Sequence, residues 1–190
     1  MTRVGILALQ GDVGEHRSVL DSLGADVVEV RRAGDLDGVD SLVLPGGEST
    51  TIGLLMASSG LDEAIAKALA GGIPVLGTCA GMILLASEVV DGRHDQKSFS
   101  AIDMAVRRNG YGRQVASFET DLAVAGLEGG PVRAVFIRAP VVERVGPGVE
   151  VLARTSDGIP VVCREANATA CSFHPELAGD ARIHAMALDL

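Results

Sequence analysis

No run of apolar residues approaches the roughly 18 that a membrane-spanning helix needs, so no membrane partner is expected. No long basic stripe exists either. With 16 basic against 25 acidic side chains and a formal charge of -9, nothing is available to displace the counterions of a phosphate backbone, and nucleic acid is not an expected partner. The three cysteines, Cys79, Cys163 and Cys171, are far apart, with no C-x-x-C and no paired histidine motif. That spacing argues against a zinc site and against a disulfide framework, and Cys163 and Cys171 are expected as buried thiols on late strands. Met1-Thr2-Arg3-Val4 enters a strand almost at once and leaves no room for a signal peptide, which points to the cytoplasm. There is no internal repeat, no linker and no low-complexity segment. Residues 1–190 are expected to form one domain.

What the chain does contain is a soluble balance of 47% apolar and 22% charged residues, at a length that suits a sheet covered by helices on both faces. Val4 to Leu9 is an unbroken apolar run and reads as a strand buried on both sides. His16, Val19, Leu20 and Leu23 then fall at helical spacing, closed by Gly24. On that apolar stripe His16 reads as a structural histidine. Strands follow at Asp26 to Val30 and Ser41 to Leu44. Ser49 or Thr50 is expected to cap a helix whose apolar face is Ile52, Leu55 and Met56. A further helix carries Leu61 to Leu69 and ends at Gly71-Gly72. After the strand at Val75-Leu76, the segment Met82 to Ala86 is apolar all round and reads as a buried helix.

Beyond Asp91 the pattern changes. Gly92 to Ser98 reads as a polar loop in which His94 is solvated. Strands are expected at 102–106, 114–118, 132–137, 149–153, 159–163 and 169–173. A last helix places Ile183, Met186, Ala187 and Leu190 on one face. Strand–helix alternation followed by hairpins predicts an α/β fold with a central, mostly parallel sheet that becomes mixed in the C-terminal half.

Three stretches carry chemistry. Gly77-Thr78-Cys79-Ala80-Gly81 has the form of a nucleophile elbow, with small residues flanking a sharp strand-to-helix turn. A thiol at that helix start favours its thiolate form, and the Ala80 N–H faces an oxyanion formed by sulfur attack. The competing reading of Cys79 is a packed core thiol. Ser172-Phe173-His174-Pro175-Glu176 supplies an imidazole and a carboxylate two residues apart, on one face if the segment is extended. Its competing reading is a surface turn. Pro45-Gly46-Gly47-Glu48-Ser49 follows a strand, where ligands of a parallel sheet bind, and the Gly47 N–H is a candidate second oxyanion donor. A phosphate loop is the weaker alternative, since no G-K-[ST] is present.

Together these stretches resemble the triad-type, class I glutamine amidotransferases. Within them the chain is most similar to the glutaminase subunits of pyridoxal 5'-phosphate synthases, on Gly5 to Val13 with Glu15-His16, Leu44 to Thr51, Arg108 to Gln114, Phe136 to Pro140 and Cys171 to Glu176. The resemblance spans nearly the whole chain and departs from the family pattern between Gly92 and Ala101. It implies a flavodoxin-like three-layer sandwich that hydrolyses L-glutamine to glutamate and ammonia and passes the ammonia to a separate synthase subunit in a hetero-oligomer. It implies no cofactor and no metal for this subunit. Cys79 is then the nucleophile, His174 the base and Glu176 its orienter, with Gly47, Glu48, Ser49, Arg108, Ile137 and Arg138 lining the glutamine pocket. Gln10 and the first helix become candidate partner contacts. A guanidinium can hold an amino-acid carboxylate bidentately, which suits the arginines. Arg107 and Arg113 lie close to Arg108, but the motif selects Arg108. The rival readings are another amidotransferase glutaminase such as that of the histidine pathway, a cysteine hydrolase acting alone, and a non-catalytic flavodoxin-like binding module.

Overall fold

The computed structural model describes residues 1–92, 96–108, 110 and 117–190. Its first half alternates strand and helix: β1 (Arg3–Leu7), α1 (Val13–Ser22), β2 (Asp26–Val30), β3 (Ser41–Leu44), α2 (Ser49–Ser59), α3 (Leu61–Ala70), β4 (Val75–Thr78) and α4 (Ala80–Leu85). Strands dominate afterwards: β5 (Ala86–Val89), β6 (Ile102–Arg107), β7 (Ser117–Leu122), β8 (Val132–Ile137), β9 (Val141–Val145), β10 (Glu150–Arg154), β11 (Pro160–Glu165) and β12 (Ala168–Cys171), before α5 (Arg182–Leu188).

A seven-stranded sheet runs β10-β11-β12-β4-β3-β1-β2. The pairs from β12 to β2 are parallel, and β10, β11 and β12 are antiparallel, so the sheet is mixed where the C-terminal half joins it. Alternate residues of its strands face opposite layers. Leu42, Leu44 and Val75 join a core with Ile52, Met56, Ile65 and Met82 under α2, α3 and α4. Val43 and Leu76 join the other core with Leu20, Phe136, Phe173 and Ile183 under α1 and α5. This is the flavodoxin-like three-layer arrangement expected from the sequence.

Several local expectations are corrected. β1 stops at Leu7, so Ala8 and Leu9 lie beyond the ladder. Glu48, not Ser49 or Thr50, caps α2: its carboxylate accepts the Thr50 and Thr51 N–H groups, a role an anion performs well at the positive end of a helix. Leu55 is exposed, leaving Ile52 and Met56 to face the core. Ala86 leaves the buried helix and starts β5. Strands 102–106 and 132–137 do not join the main sheet; they belong to separate sheets, β5-β6-β9 and β7-β8. Leu190 lies past the end of α5. His94, Arg113 and the first part of strand 114–118 lie outside the described residues, as do Asn109 and Tyr111 of the arginine motif.

Candidate active site

The turn between β4 and α4 is the tightest point of the sheet's carboxyl edge. Cys79 takes φ 49° and ψ -100°, a backbone state that a non-glycine residue adopts at some cost. Its neighbours leave it no room to relax. A Cβ on Gly77 would meet the Gly81 carbonyl at 2.7 Å, and one on Gly81 would meet the Leu44 carbonyl oxygen at 2.0 Å. Glycine is required at both, which is why the elbow reads G-T-C-A-G. The Cys79 N–H donates to the Cys171 carbonyl of β12 (2.9 Å), and its thiol lies 3.8 Å from the Ile137 carbonyl.

His174 lies three residues past the end of β12, its N–H bonded to the Val135 carbonyl at 2.9 Å. The segment after it is not extended. Pro175–Leu177 forms a 3-10 turn, with proline at the first position where its missing N–H is harmless. The turn still brings the two side chains together: His174 Nδ1 and Glu176 Oε1 are 2.7 Å apart, both buried. With Nδ1 engaged there, Nε2 is the ring nitrogen left for Cys79, whose side chain lines the same cavity. Burial pushes the His174 imidazole down, but the hydrogen bonds to Cys79 and Glu176 outweigh it and hold the ring up at about 10. Burial raises the Glu176 carboxyl, against the opposing pull of His174. Cysteine and histidine therefore line one cavity, and glutamate holds the histidine from behind.

A cavity of about 310 Å³ opens over the sulfur. Its walls include Cys79, His174, Ala80, Gly47, Glu48 and Ser49, and Arg108, Ile137 and Arg138 complete the set named from sequence. Glu176 alone of the proposed site residues stands outside it, behind the imidazole. The volume suits a metabolite of amino-acid size. Arg108 is engaged: its guanidinium donates to Thr50 Oγ1 and Glu48 Oε1, both at 3.0 Å. Burial works against the Glu48 charge, but the bonds from Thr51 and Thr50 prevail and hold its carboxyl below the usual range. Arg138 has positive φ (44°) and no ion-pair partner among the described residues. Arg107 turns away and pairs with Glu143.

Sequence reasoning overlooked four neighbours of this site. Gln10, a partner-contact candidate, lies in the cavity wall, and its Oε1 accepts the Glu48 N–H at 2.7 Å. Asp12 stands at the start of α1 without capping it, and its Oδ2 lies 3.2 Å from His174 Nδ1. Thr78 and His184 contact His16, which is buried as expected. Only His16 gave a signal, a polar residue on an apolar stripe.

Asp12, His174 and Glu176 also present ligand atoms within 4.8 Å of one another. The 2.7 Å between Nδ1 and Oε1 is a shared-proton distance, however. Two ligands of a tetrahedral zinc stand about 3.3 Å apart. The group reads as a hydrogen-bonded cluster.

Comparison with known proteins follows the same lines. Residues 6–189 match the SNO glutamine amidotransferase family. The chain is 58% identical to the pyridoxal 5'-phosphate synthase subunit PdxT of Salinispora arenicola, over 98% of this chain and 95% of the relative. It is 52% identical to the protein of that name from Rhodococcus opacus, covering 100% and 98%. Among solved structures, a crystal structure of a glutamine amidotransferase superposes with a TM-score of 0.92 at 48% identity, covering 98% of this chain and 97% of that one. A glutamine amidotransferase from Thermotoga maritima, at 14% identity and a TM-score of 0.63 over 92% of this chain and 76% of that one, shares the fold.

Proposed function

The chain belongs to the SNO glutamine amidotransferase family, and from that premise we infer that Cys79, His174 and Glu176 carry its hydrolytic chemistry. The protein is the glutaminase subunit of pyridoxal 5'-phosphate synthase: it hydrolyses L-glutamine to L-glutamate and ammonia and delivers the ammonia to the synthase subunit. The observation that carries the residue assignment is that Cys79 and His174 line one cavity of amino-acid size while Glu176 holds His174 Nδ1 at 2.7 Å.

That geometry supports the following steps. The Cys79 thiolate attacks the side-chain amide carbon of glutamine. Negative charge moves onto the amide oxygen, toward the N–H groups of Gly47 and Ala80. His174, protonated and held by Glu176, gives its Nε2 proton to the amide nitrogen, and ammonia leaves as the carbon–nitrogen bond breaks. The thioester that remains is attacked by water, which loses its proton to the now neutral His174. The carbon–sulfur bond then breaks, releasing glutamate and restoring the thiolate–imidazolium pair.

Ser49 and Ile137 supply further wall, and the two arginines divide the work of binding. Arg108 is fixed by Glu48 and Thr50 and shapes the rim. Arg138, without an ion-pair partner among the described residues, is the cation available to the substrate carboxylate. Residues 1–190 act as one glutaminase domain, a reading supported by two cores that share one sheet. No helix among the described residues is long and apolar enough to cross a membrane. Three free thiols support residence in a reducing compartment, the cytoplasm.

The test is glutamate release after mixing with the cognate synthase, with amide-labelled glutamine to follow nitrogen into product. Cys79→Ala is expected to lose release while still binding the synthase. Turnover at the wild-type rate in that variant would remove the nucleophile assignment.

A further inference from the structure

Behind the triad lies a second set of buried polar groups that the hydrolytic steps do not use. His16 on α1 and His184 on α5 are both fully buried, and they meet across the core with His16 Nδ1 2.9 Å from His184 Nε2. The other nitrogen of His16 lies 3.2 Å from Thr78 Oγ1 on β4 and 3.5 Å from Glu176 Oε1. That is the same carboxylate oxygen that holds His174 Nδ1. Asp180, ahead of α5, is the remaining charged group that acts on His184.

The direction of the protons follows from what is left over. His184 Nδ1 is buried with no hydrogen-bond partner among the described residues. If His16 Nδ1 donated to His184, His184 Nδ1 would have to carry the other proton as an orphaned buried donor. His16 would also turn a lone pair toward a carboxylate oxygen. Buried N–H groups without acceptors are rarer than acceptors without donors, so the opposite direction is favoured. His184 Nε2–H then donates to His16 Nδ1, and His16 Nε2–H points between Thr78 Oγ1 and Glu176 Oε1. Burial, with His184 and His174 nearby, keeps His16 neutral, its pKa pushed well below the usual histidine range.

We propose that His16, set in its tautomer by His184, is a positioning residue for glutamine hydrolysis: its Nε2–H, bonded to Thr78 Oγ1, also faces Glu176 Oε1 at 3.5 Å and steadies the carboxylate that orients His174. The inference rests on Glu176 being the orienting carboxylate of the triad. Oε1 thus has an imidazole at 2.7 Å on His174 and a second at 3.5 Å on His16, so a swing away from His174 also alters its contact with the second ring.

Two measurements test this. Long-range proton–nitrogen NMR on the wild-type chain reads each tautomer directly: Nε2–H is expected on both His16 and His184, and Nδ1–H on His16 would overturn the proposal. In the complex with synthase, His16→Met removes the donor, whereas His16→Gln keeps an amide N–H close to the place of Nε2. His16→Met is expected to lower kcat about tenfold with KM for glutamine changed less than about twofold. The acid limb of its kcat/KM profile should move up by about one pH unit, because the Glu176 carboxylate loses a neighbouring N–H dipole that favours its charged form. His16→Gln should recover most of kcat and return the limb. Equal losses in the two variants, or wild-type kinetics in His16→Met, would refute the positioning role. If His16→Met does not fold, the tautomer measurement still decides. Glu176→Gln separates the two readings: full activity there sinks the triad itself, whereas inactivity there beside wild-type kinetics in His16→Met sinks only this inference.

Discussion

Acid should destabilise this fold through His184, and the size of the effect can be worked out. Burial lowers the His184 imidazole from 6.5 to about 4. A histidine whose folded pKa is depressed is neutral in both states above 6.5, so it adds nothing at pH 7. Below 6.5 the unfolded chain takes up a proton that the folded one refuses, and stability falls until the folded pKa is passed. With these two values the loss is about 2 kcal/mol at pH 5 and about 3 kcal/mol at pH 4. His184→Asn removes the titration. It also relieves the repulsion that His184 exerts on a protonated His16, which acts in the same direction. Urea unfolding followed by circular dichroism at pH 7, 5 and 4, for wild type and variant, isolates the contribution as a double difference. Carboxylates titrating over the same range cancel in it. The variant is expected to start less stable at pH 7, having lost the bond to His16, and to lose about 2 kcal/mol less than wild type by pH 5, a difference of about 1 M in urea midpoint. Parallel stability curves for the two proteins would refute the reasoning.

Thiol chemistry gives a second expectation. Burial pushes the Cys163 thiol up to about 11 and the Cys171 thiol well above its usual range, so iodoacetamide near pH 7.5 should modify Cys79 first, and prior labelling of either other thiol by peptide mass mapping would contradict it. Gly81→Ala places a methyl group 2.0 Å from the Leu44 carbonyl oxygen, and should cost about 3 kcal/mol or more in a thermal melt; a variant with wild-type stability would show that the elbow can open. Glu48→Ala removes the α2 cap, at about 1 kcal/mol of stability, and releases Arg108 from its carboxylate partner, so KM for glutamine should rise more than kcat falls in the complex.

How much of this was legible beforehand depended on whether a feature was local. The elbow could be read because its glycines answer a steric demand made within five residues, and the Leu44 carbonyl that enforces Gly81 did not have to be known. His174 and Glu176 were paired correctly for a partly wrong reason. The one-face reading assumed an extended segment, whereas a 3-10 turn with proline at its first position brings the two side chains together as well. The α2 cap was misplaced by one or two residues because the usual preference for Ser or Thr overlooked that Glu48, anchored by Gln10 and Arg108, is already positioned to take the role. β5 was hidden because Ala86 continues the apolar run of α4, and apolar runs carry no period where the chain changes element. Asp12 and His184 could not have been found. One is far from His174 in sequence and looks like an ordinary helix start, and the other meets His16 only because α1 and α5 cover the same face of the sheet.

The register of the central sheet has a bearing on control. Thr78 and Cys171 are paired neighbours on adjacent parallel strands, and the Cys79 N–H is tied to the Cys171 carbonyl. Sulfur and imidazole thus hang from one rigid lattice, at the ends of two strands that cannot slide without tearing the middle of the protein. A shift of these two strands is therefore no way to bring sulfur and imidazole together or apart. Freedom of that kind belongs to the other parts of the cavity wall, the glycine-bearing loop between β3 and α2 and the Gln10–Asp12 turn, whose backbone lies outside the ladder.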